Sequence, residues 1–281
     1  MSASRVSIAA LLKQAARLQG ISDTPRLDTE ILLGHVLNKP RSYLYTWPEQ
    51  ELEPSLQHAF EQLLLRRQKG EPVAYLTGTK EFWSLSLQVN ASTLIPRPET
   101  ELLVETALAV IDKTDACVLD LGTGTGAIAL ALASERPGWQ ILAVDLMADA
   151  LRLVEKNRQQ LALNNVSLIQ SDWFESIPDR EFDLVVSNPP YIEPHDPHLD
   201  RGDVRFEPAS ALVAEDHGLA DIKIIIAKAG RHLTKNAWLL LEHGFQQRDA
   251  VRDLLVSAGF RQVSTRVDIN GQERLSMGCM S

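Results

Sequence analysis

The sequence predicts an α/β protein with a mostly parallel sheet covered by helices on both faces, preceded by a small helical domain. Three successive patterns along the chain predict this fold. Residues 7–69 space their apolar side chains at helical intervals, residues 72–89 alternate them as strands do, and later residues alternate short apolar runs with helical stretches. Repeated strand, helix and strand segments are typical of a parallel sheet, because parallel neighbours need a crossover connection. We expect helical residues 1–70, a linking β-hairpin at 71–94 and a larger domain at 95–281.

The helical region comes first in the chain. Leu11, Ala15 and Leu18 share one helical face, and a second amphipathic run follows at residues 56–64. Prolines separate these runs, and proline fits the first turn of a helix or a loop better than a helix interior. The region therefore predicts four or five short helices in a small bundle.

The hairpin and the sheet follow the bundle. The run Val73–Leu76 and the alternating residues Leu85, Leu87 and Val89 predict two strands around a turn. Short apolar runs predict five strands of the sheet, namely Cys117–Leu121, Ile141–Val144, Val166–Ile169, Phe182–Ser187 and Trp238–Leu241.

Composition excludes several classes of protein. The 281 residues are 44% hydrophobic and 23% charged, as in ordinary globular proteins, and the net charge of −9 offers no chain-wide basic field for nucleic acid. Cys117 and Cys279 are too few for a disulfide framework and lack the paired spacing of a zinc site. The N-terminus has no secretory signal pattern, and no apolar run reaches the roughly 20 residues that cross a bilayer. We expect a cytoplasmic protein.

A glycine-rich loop follows the first strand of the predicted sheet. In Gly122–Gly126 three glycines alternate with Thr123 and Thr125, and an apolar helix begins directly afterwards. Glycines allow a sharp turn and a close approach of ligand to backbone, and a helix N-terminus favours a negative group. The spacing is not the dinucleotide pattern G-x-G-x-x-G. The loop predicts a site for a nucleoside-containing cofactor, with a glycine turn that only permits close packing as the alternative.

Two side chains after the next strands fit the same site. Asp145 ends the second strand about 20 residues after the loop, where a carboxylate can accept hydrogen bonds from ribose hydroxyls. A helix cap or a surface acid is the alternative for this residue. Trp173 follows the third strand and either covers an adenine ring or belongs to the core.

The segment Asn188-Pro189-Pro190-Tyr191 ends the fourth strand and is the most informative stretch of the chain. Proline has no N–H and fixes its φ angle, so the two prolines form a rigid segment with outward carbonyl acceptors. Together with the Asn188 side-chain oxygen they could accept both hydrogens of a planar NH2 group, against which Tyr191 could lie flat. A cis-proline turn that closes the strand is the alternative.

Such acceptors would suit methylation of an amide or an exocyclic amine. The lone pair of that nitrogen is delocalised, so acceptors arranged for a pyramidal nitrogen stabilise the transition state more than the ground state. Attack on a sulfonium methyl needs a nearly straight N···C···S line, which is a positioning task that requires neither a metal nor an acid–base pair.

Together the two motifs resemble the S-adenosylmethionine-dependent methyltransferases that modify planar amino groups. Two further segments narrow the resemblance: Ile95–Glu101, which reads Ile-Pro-Arg-Pro-Glu-Thr-Glu, and Arg205–Pro208, which reads Arg-Phe-Glu-Pro. With the helical region and the hairpin, these segments make the chain similar over essentially its whole length to the peptide chain release factor N5-glutamine methyltransferases. The resemblance implies a Rossmann-like seven-stranded methyltransferase domain, joined by a β-hairpin to an N-terminal helical bundle.

The resemblance also implies the reaction and the partners. A methyl group would pass from S-adenosyl-L-methionine to the side-chain amide nitrogen (N5) of the glutamine in the Gly-Gly-Gln motif of bacterial class 1 release factors. The products would be the methylated release factor and S-adenosyl-L-homocysteine, with no metal involved. The helical domain would dock the release factor. We expect a monomer that binds neither nucleic acid nor a membrane.

The site residues are carried over by motif. The cofactor would be held by Gly122, Thr123, Gly124, Thr125, Gly126, Asp145, Trp173 and Asn188. The glutamine would be gripped by Asn188, Pro189, Pro190 and Tyr191, of which Asn188, Pro189 and Tyr191 would be catalytic. For Arg97 and Glu207, a salt bridge that shapes the site and a chemical role both stay open.

Two groups of residues outside these motifs could also carry chemistry. His195, Asp196 and His198 lie close together in a proline-bounded loop, and the mechanism needs no metal there. His243 follows Glu242 at the end of the fifth strand, where packing is favoured over a general base.

Three other functions share parts of the pattern. An amino-methyltransferase of DNA or RNA would use the same clamp, but the acidic balance of the chain counts against it. A glutamine methyltransferase of a large-subunit ribosomal protein would have a similar fold and site, and the Arg97–Glu101 run favours the release factor instead. A binding module without catalysis is disfavoured by the intact glycines, Asp145 and Asn188.

Overall fold

The structure is a computed structural model that describes residues 5–178 and 180–281. The chain forms two compact units, one from the N-terminal residues through Thr79 together with Pro197–Phe206, the other from Lys80–Asp196 together with Glu207–Ser281. Residues 1–4, which belong to the predicted helical region 1–70, lie outside the described residues.

The first unit is built from short helices, as the proline spacing predicts. Its helices are α1 (Ile8–Leu12), α2 (Pro25–Leu37), α3 (Arg41–Thr46), α4 (Pro54–Gln68) and α5 (Val73–Thr77), with a 3-10 helix at Lys13–Leu18 and two short paired strands, β1 (Val6–Ser7) and β2 (Glu51–Leu52). Pro25 and Pro54 occupy the first turns of α2 and α4, where their missing N–H is not needed. Leucines from these helices and Phe60 form the core of the unit.

A buried arginine joins distant parts of this unit. Arg67 on α4 donates from Nε to Asp28 Oδ2 at 2.7 Å and from Nη1 to Asp203 Oδ1 at 3.0 Å. Its Nη1 also donates to the Gly70 carbonyl oxygen at 3.1 Å. Arg67 thereby holds the Pro197–Phe206 segment, which follows the Asn-Pro-Pro-Tyr motif in the chain, against the helices of the first unit.

The predicted first strand of the hairpin was wrong. Val73–Leu76 forms most of helix α5, while the hairpin consists of β3 (Thr79–Phe82) and β4 (Leu85–Gln88). Pro72 precedes the helix and Gly78 ends it in the left-handed region, with φ +72°, which are the ordinary signals of a helix start and stop. Only one turn long, the helix is too short for an apolar period that would distinguish it from a strand.

The second unit contains the predicted seven-stranded sheet, in the order β10-β11-β9-β8-β5-β6-β7. Its strands are β5 (Cys117–Leu121), β6 (Gln140–Asp145), β7 (Val166–Gln170), β8 (Phe182–Ser187), β9 (Leu233–Glu242), β10 (Arg261–Val267) and β11 (Glu273–Cys279). Strands β5 to β9 are parallel, and β11 runs antiparallel to both β9 and β10.

Helices cover both faces of this sheet. They are α6 (Glu101–Val110), α7 (Ala127–Glu135), α8 (Ala148–Gln160), α10 (Ala220–Ala229) and α11 (Arg248–Ser257). The four residues of α9 (Glu215–Gly218) form a single turn before α10, in which Asp216 and His217 have positive φ angles. One apolar cluster joins α6 and α7 to the side chains on one face of β5. A second cluster joins α10 and α11 to the intervening side chains of the same strand, which lie on the opposite face of the sheet. Because both faces are buried, the central strands are continuous apolar runs. None of the helices in the described part of the chain has the length and apolar character to cross a bilayer.

Candidate active site

The register of the sheet brings the predicted site residues into one row. Leu121 of β5 lies opposite Val144 of β6 and Ser187 of β8, and Ser187 lies opposite Leu241 of β9. The residues that follow them at the carboxyl edge are Asp145, Gly122, Asn188 and Glu242. Open parallel sheets bind ligands at this edge, so the topology alone assembles a candidate site.

The glycine loop is hydrogen-bonded to Asp145, the acid that the sequence analysis places at the same site. Asp145 accepts hydrogen bonds from the Gly124 amide on Oδ2 and from the Met147 amide on Oδ1, each at 2.9 Å. Burial raises the pKa of Asp145, and these backbone hydrogen bonds oppose that rise. Each carboxylate oxygen keeps a further lone pair, so the side chain can still accept hydrogen bonds from ribose hydroxyls. Gly122, Gly124 and Gly126 all have positive φ angles, of +69°, +57° and +83°.

A cavity of about 390 Å³ lies at this edge of the sheet. Of the predicted site residues it is lined by Gly122, Thr123, Gly124, Thr125, Asp145, Trp173, Asn188 and Pro190. Gly126, Pro189 and Tyr191 are adjacent in the chain but are not part of its wall. The volume lies in the range of small-molecule sites, and the mostly apolar wall, with the carboxyl groups of Asp145, Asp172 and Asp221 as acceptors, suits a nucleoside.

Trp173 closes one side of the cavity. The ring lies so close to Gly122 that a Cβ atom there would be 3.4 Å from Trp173 Cζ3. Its Nε1 donates to Asp221 Oδ1 at 3.2 Å, which fixes the plane of the indole. Burial raises the pKa of Asp221, and the hydrogen bond from Trp173 opposes the rise. The ring is thus held at the glycine loop, where it can cover a flat base.

Asn188 presents its side-chain oxygen to the cavity. Its Nδ2 donates to Thr100 Oγ1 at 3.2 Å, so the NH2 group is directed toward the wall. Thr100 and Asn188 both line the cavity. The Oδ1 atom of Asn188 is left available as an acceptor for a ligand NH2 group.

Tyr191 is held by hydrogen bonds to two residues that do not line the cavity. Its hydroxyl donates to Glu242 Oε1 at 3.3 Å, and its backbone oxygen accepts from Gln247 Nε2 at 3.0 Å. Burial and the Glu242 carboxylate raise the pKa of Tyr191, so the phenol stays protonated as a donor. Gly218, with φ +76°, allows the chain to pass close by, since a Cβ there would lie 2.1 Å from the Tyr191 oxygen.

Arg97 and Glu207 form the salt bridge that was one of their two predicted roles. Arg97 Nη2 lies 2.6 Å from Glu207 Oε2, and the Ile95 amide donates to Glu207 Oε1 at 3.0 Å. The Glu207 side chain is fully buried. This carboxylate thereby holds the Ile95–Glu101 segment, from which Pro96, Arg97 and Thr100 line the cavity.

The sequence analysis did not assign to the site Thr100, Asp221 and Glu242, which form hydrogen bonds with the side chains of Asn188, Trp173 and Tyr191. Glu242 has a signal that could have identified it, because it is a single acid at the carboxyl end of an apolar strand. Thr100 lies inside the Ile95–Glu101 motif, but its hydrogen-bond partner Asn188 is 88 residues away, so no local pattern in the sequence identifies the pair. His243, next to Glu242, is buried and bonded to Ser276 Oγ at 2.8 Å, as expected for a packed histidine.

The residues present fit a nucleoside that carries a sulfonium. Asp145 supplies the acceptor for ribose, Trp173 a flat surface, and the glycine loop a cradle with free approach to the backbone. Over residues 5–178 and 180–281, no three histidine, cysteine or acidic side chains are grouped so as to hold a metal ion.

Comparison with known proteins agrees with this geometry. Residues 9–78 match the PrmC N-terminal domain and residues 98–219 match the methyltransferase small domain. The release factor glutamine methyltransferase of Pseudomonas aeruginosa is 54% identical over 274 residues, which cover 97% of this chain and 98% of that protein. The enzyme of the same description from Shewanella oneidensis is 52% identical over 262 residues, which cover 93% of this chain and 92% of that protein. The crystal structure of a methyltransferase from Pyrococcus furiosus shares the fold, with a TM-score of 0.54 at 14% identity over 78% of this chain and 96% of its own.

Proposed function

The chain belongs to the release factor glutamine methyltransferases, and we propose that it methylates the side-chain amide nitrogen (N5) of the glutamine in the Gly-Gly-Gln motif of peptide chain release factors. The observation that carries this proposal is the orientation of Asn188. Its amide donates to Thr100 and leaves Oδ1 at the cavity, beside the glycine loop that follows the neighbouring strand. An acceptor in that position suits an NH2 substrate next to a nucleoside cofactor.

S-adenosyl-L-methionine is the proposed methyl donor, which when bound supplies a methyl group activated by a positively charged sulfur. The cofactor would lie against the backbone of Gly122 to Gly126. Asp145 would bind its ribose, and Trp173 would lie beside its adenine. No metal is part of the proposed reaction, and S-adenosyl-L-homocysteine is the expected second product.

The Asn-Pro-Pro-Tyr segment would do the catalytic work by holding the substrate nitrogen. Asn188 Oδ1 and the Pro189 carbonyl would accept the two amide hydrogens, while Pro190 and Tyr191 shape and stiffen the clamp. Acceptors placed for a pyramidal nitrogen favour the localised lone pair that attacks the methyl carbon. The fixed backbone of the segment would hold the substrate nitrogen in position for direct attack on the methyl group of the donor, and the nitrogen would lose its spare proton once the transfer has made it positive.

The remaining parts of the proposal concern the partner and the setting. The helical region 1–70 would dock the release factor, the segment 71–94 would link it to the methyltransferase domain 95–281, and the enzyme would act as a cytoplasmic monomer without nucleic acid or a membrane. The net charge of −9 supports a protein substrate over a nucleic acid.

A methylation assay tests the function. Purified protein, labelled S-adenosyl-L-methionine and a class 1 release factor should give a labelled release factor. The same release factor with its loop glutamine changed to alanine is the matched control and should take up no label. Equal labelling of both substrates would refute the proposed target residue.

A further inference from the structure

Gln247 contacts the end of the substrate clamp, the segment Asn188–Tyr191, and has no role in the reaction as described so far. Its Nε2 atom donates to the backbone oxygen of Tyr191 at 3.0 Å and to the backbone oxygen of His217 at 3.0 Å. Each hydrogen of this NH2 group therefore has its own acceptor. His217 belongs to the single turn of α9, so one side chain joins the clamp to that turn.

The oxygen of the same amide fixes its orientation. Gln247 Oε1 accepts the backbone N–H of Gly244 at 2.8 Å. A reversed amide would place Oε1 against two carbonyl oxygens and the NH2 group against an N–H, so all three hydrogen bonds would be lost. The Gln247 backbone is also held, because its N–H donates to the Gly244 oxygen at 2.8 Å and its oxygen accepts from the Val251 amide at 2.9 Å. The side chain therefore extends from a fixed backbone at the start of α11.

The prolines limit how the backbone of the clamp can be held. Pro189 and Pro190 have no N–H, and the Pro189 carbonyl is the proposed acceptor for the substrate. The Tyr191 carbonyl is a point at which the clamp can be bound without occupying that acceptor. Gly218 packs closely here, since a Cβ atom on it would lie 2.1 Å from the Tyr191 oxygen and 2.7 Å from Gln247 Nε2. The absence of a side chain at Gly218 leaves the carbonyl and the amide in direct contact.

We propose that Gln247 is a positioning residue for methyl transfer, whose side-chain NH2 group holds the Tyr191 carbonyl and thereby fixes the acceptors of the clamp. Because the two prolines between Asn188 and Tyr191 have fixed φ angles, a displacement of the Tyr191 carbonyl also displaces the Pro189 carbonyl. The inference rests on the proposed function, in which these acceptors hold the substrate amide. Gln247 does not line the cavity, so we expect its effect on turnover and not on cofactor binding.

The experiment compares two substitutions of Gln247 with the same substitutions of Gln246. Gln247→Met removes every polar atom of the side chain at nearly constant length. Gln247→Glu keeps an oxygen that accepts from Gly244 but places the second oxygen against the two carbonyl groups. Gln246 is exposed and directly precedes Gln247 in the chain. Gln246→Met and Gln246→Glu are therefore matched controls, which should keep wild-type kinetics.

Both Gln247 variants should lower kcat for release factor methylation by about 10- to 100-fold, as for a misplacement of about 1 Å at the reacting atoms. The turnover number is expressed per binding site for S-adenosyl-L-homocysteine, counted by calorimetry, so that unfolded protein does not contribute. The Kd for S-adenosyl-L-homocysteine should stay near the wild-type value. A residue that only stabilises the fold would reduce the number of binding sites and leave kcat per site unchanged.

Three results would overturn the role of Gln247. A wild-type kcat per site in Gln247→Met would show that the clamp does not depend on this amide. A slow Gln247→Met beside a Gln247→Glu of wild-type rate would assign the effect to the Gly244 contact instead. A loss of rate with an equally large loss of affinity for S-adenosyl-L-homocysteine would place the effect in the cofactor site. If Gln247→Met does not fold, Gln247→Glu alone decides by its rate and its Kd.

The wild-type protein is assayed in the same series to separate this inference from the proposed function. A wild type that does not methylate the release factor would refute the proposed function, and the role of Gln247 with it. A wild type that does so, alongside unchanged Gln247 variants, would refute the role of Gln247 alone.

Discussion

Asn188 is the residue on which the chemistry depends most directly. Its position after β8 and its hydrogen bond to Thr100 at 3.2 Å leave one acceptor atom for the substrate. Replacing it with alanine removes that acceptor and should lower kcat by about 100-fold or more, as for the loss of one preorganised transition-state contact. Steady-state kinetics with a release factor measure this. Asn164→Ala, at an exposed turn position, is the control and should keep the wild-type rate. An Asn188→Ala enzyme of equal rate would show that the chemistry lies elsewhere.

Glu207 is a structural residue of the same site. Its buried carboxylate holds Arg97 at 2.6 Å and the Ile95 amide at 3.0 Å. Glu207→Gln should lower the free energy of unfolding by about 1–3 kcal/mol, since a charge-assisted bond is lost and buried donors are left poorly paired. Urea unfolding measures the change. Glu53→Gln is the control, because Glu53 and its partner Arg5 are both more than half exposed. A change within about 0.5 kcal/mol is expected for that surface pair. Equal losses in the two variants would contradict the role assigned to Glu207.

At the scale of single elements, the turn from β5 into α7 depends on a glycine. Gly126 has φ +83°, and a Cβ there would lie 2.8 Å from Val154 Cγ1 and 3.0 Å from Leu130 Cδ1. Gly20 is the control, because it has φ +74° and no atom lies within 4 Å of such a Cβ. An alanine there measures only the free-energy cost of the left-handed backbone conformation. Gly20→Ala should cost about 1–2 kcal/mol for the left-handed conformation alone. Gly126→Ala should cost about 1–3 kcal/mol more through crowding. Chemical denaturation compares the two, and equal costs would exclude the crowding.

How far the sequence predicts the elements depends on how local their signals are. The strands Cys117–Leu121 and Phe182–Ser187 match the structure residue for residue, because both faces of these strands are buried and their apolar runs are continuous. Strands β10 and β11 were not predicted individually. Arg261–Val267 is largely polar because β10 lies at the edge of the sheet. The seven-stranded sheet itself followed from the resemblance to the family.

The site shows the same division between local and distant information. The glycine loop, Asp145 and Asn188 are visible in the sequence because each directly follows a strand, and the parallel register then aligns them. The contacts of Thr100 with Asn188 and of Trp173 with Asp221 join segments 88 and 48 residues apart. Such pairs arise only when the sheet has formed, so no local pattern predicts them.

At the scale of the whole molecule, buried acids link folding to pH. Burial raises the pKa of Asp120 to about 7, with Thr123 opposing the rise through a hydrogen bond of 2.6 Å. The unfolded chain has an ordinary aspartate with a pKa of about 3.9, so between these values the native state binds a proton that the unfolded state lacks. The stability from this group is therefore complete below pH 4 and is lost as the pH rises to about 7.

Replacing Asp120 with asparagine should remove this pH dependence. The free energy of unfolding of the wild type, minus that of Asp120→Asn, should fall by roughly a few kcal/mol from pH 4 to pH 7 and stay constant above it. Urea unfolding of both proteins at matched pH values measures the difference, in which the contributions of all other titrating groups cancel. A difference that is constant or grows with pH would mean that Asp120 is ionised in the native protein throughout this range.

In the proposed reaction, Asn188 and the prolines after it hold a carboxamide nitrogen beside the methyl donor. A crystal structure with S-adenosyl-L-homocysteine and a Gly-Gly-Gln peptide tests it by one measurement, the position of the glutamine side-chain nitrogen. We predict that this nitrogen lies within hydrogen-bonding distance of Asn188 Oδ1 and the Pro189 carbonyl oxygen, and faces the sulfur atom of the bound nucleoside. A glutamine nitrogen bound away from both oxygens, or a sulfur atom remote from Asn188, would show that this segment does not hold the substrate amide for methyl transfer.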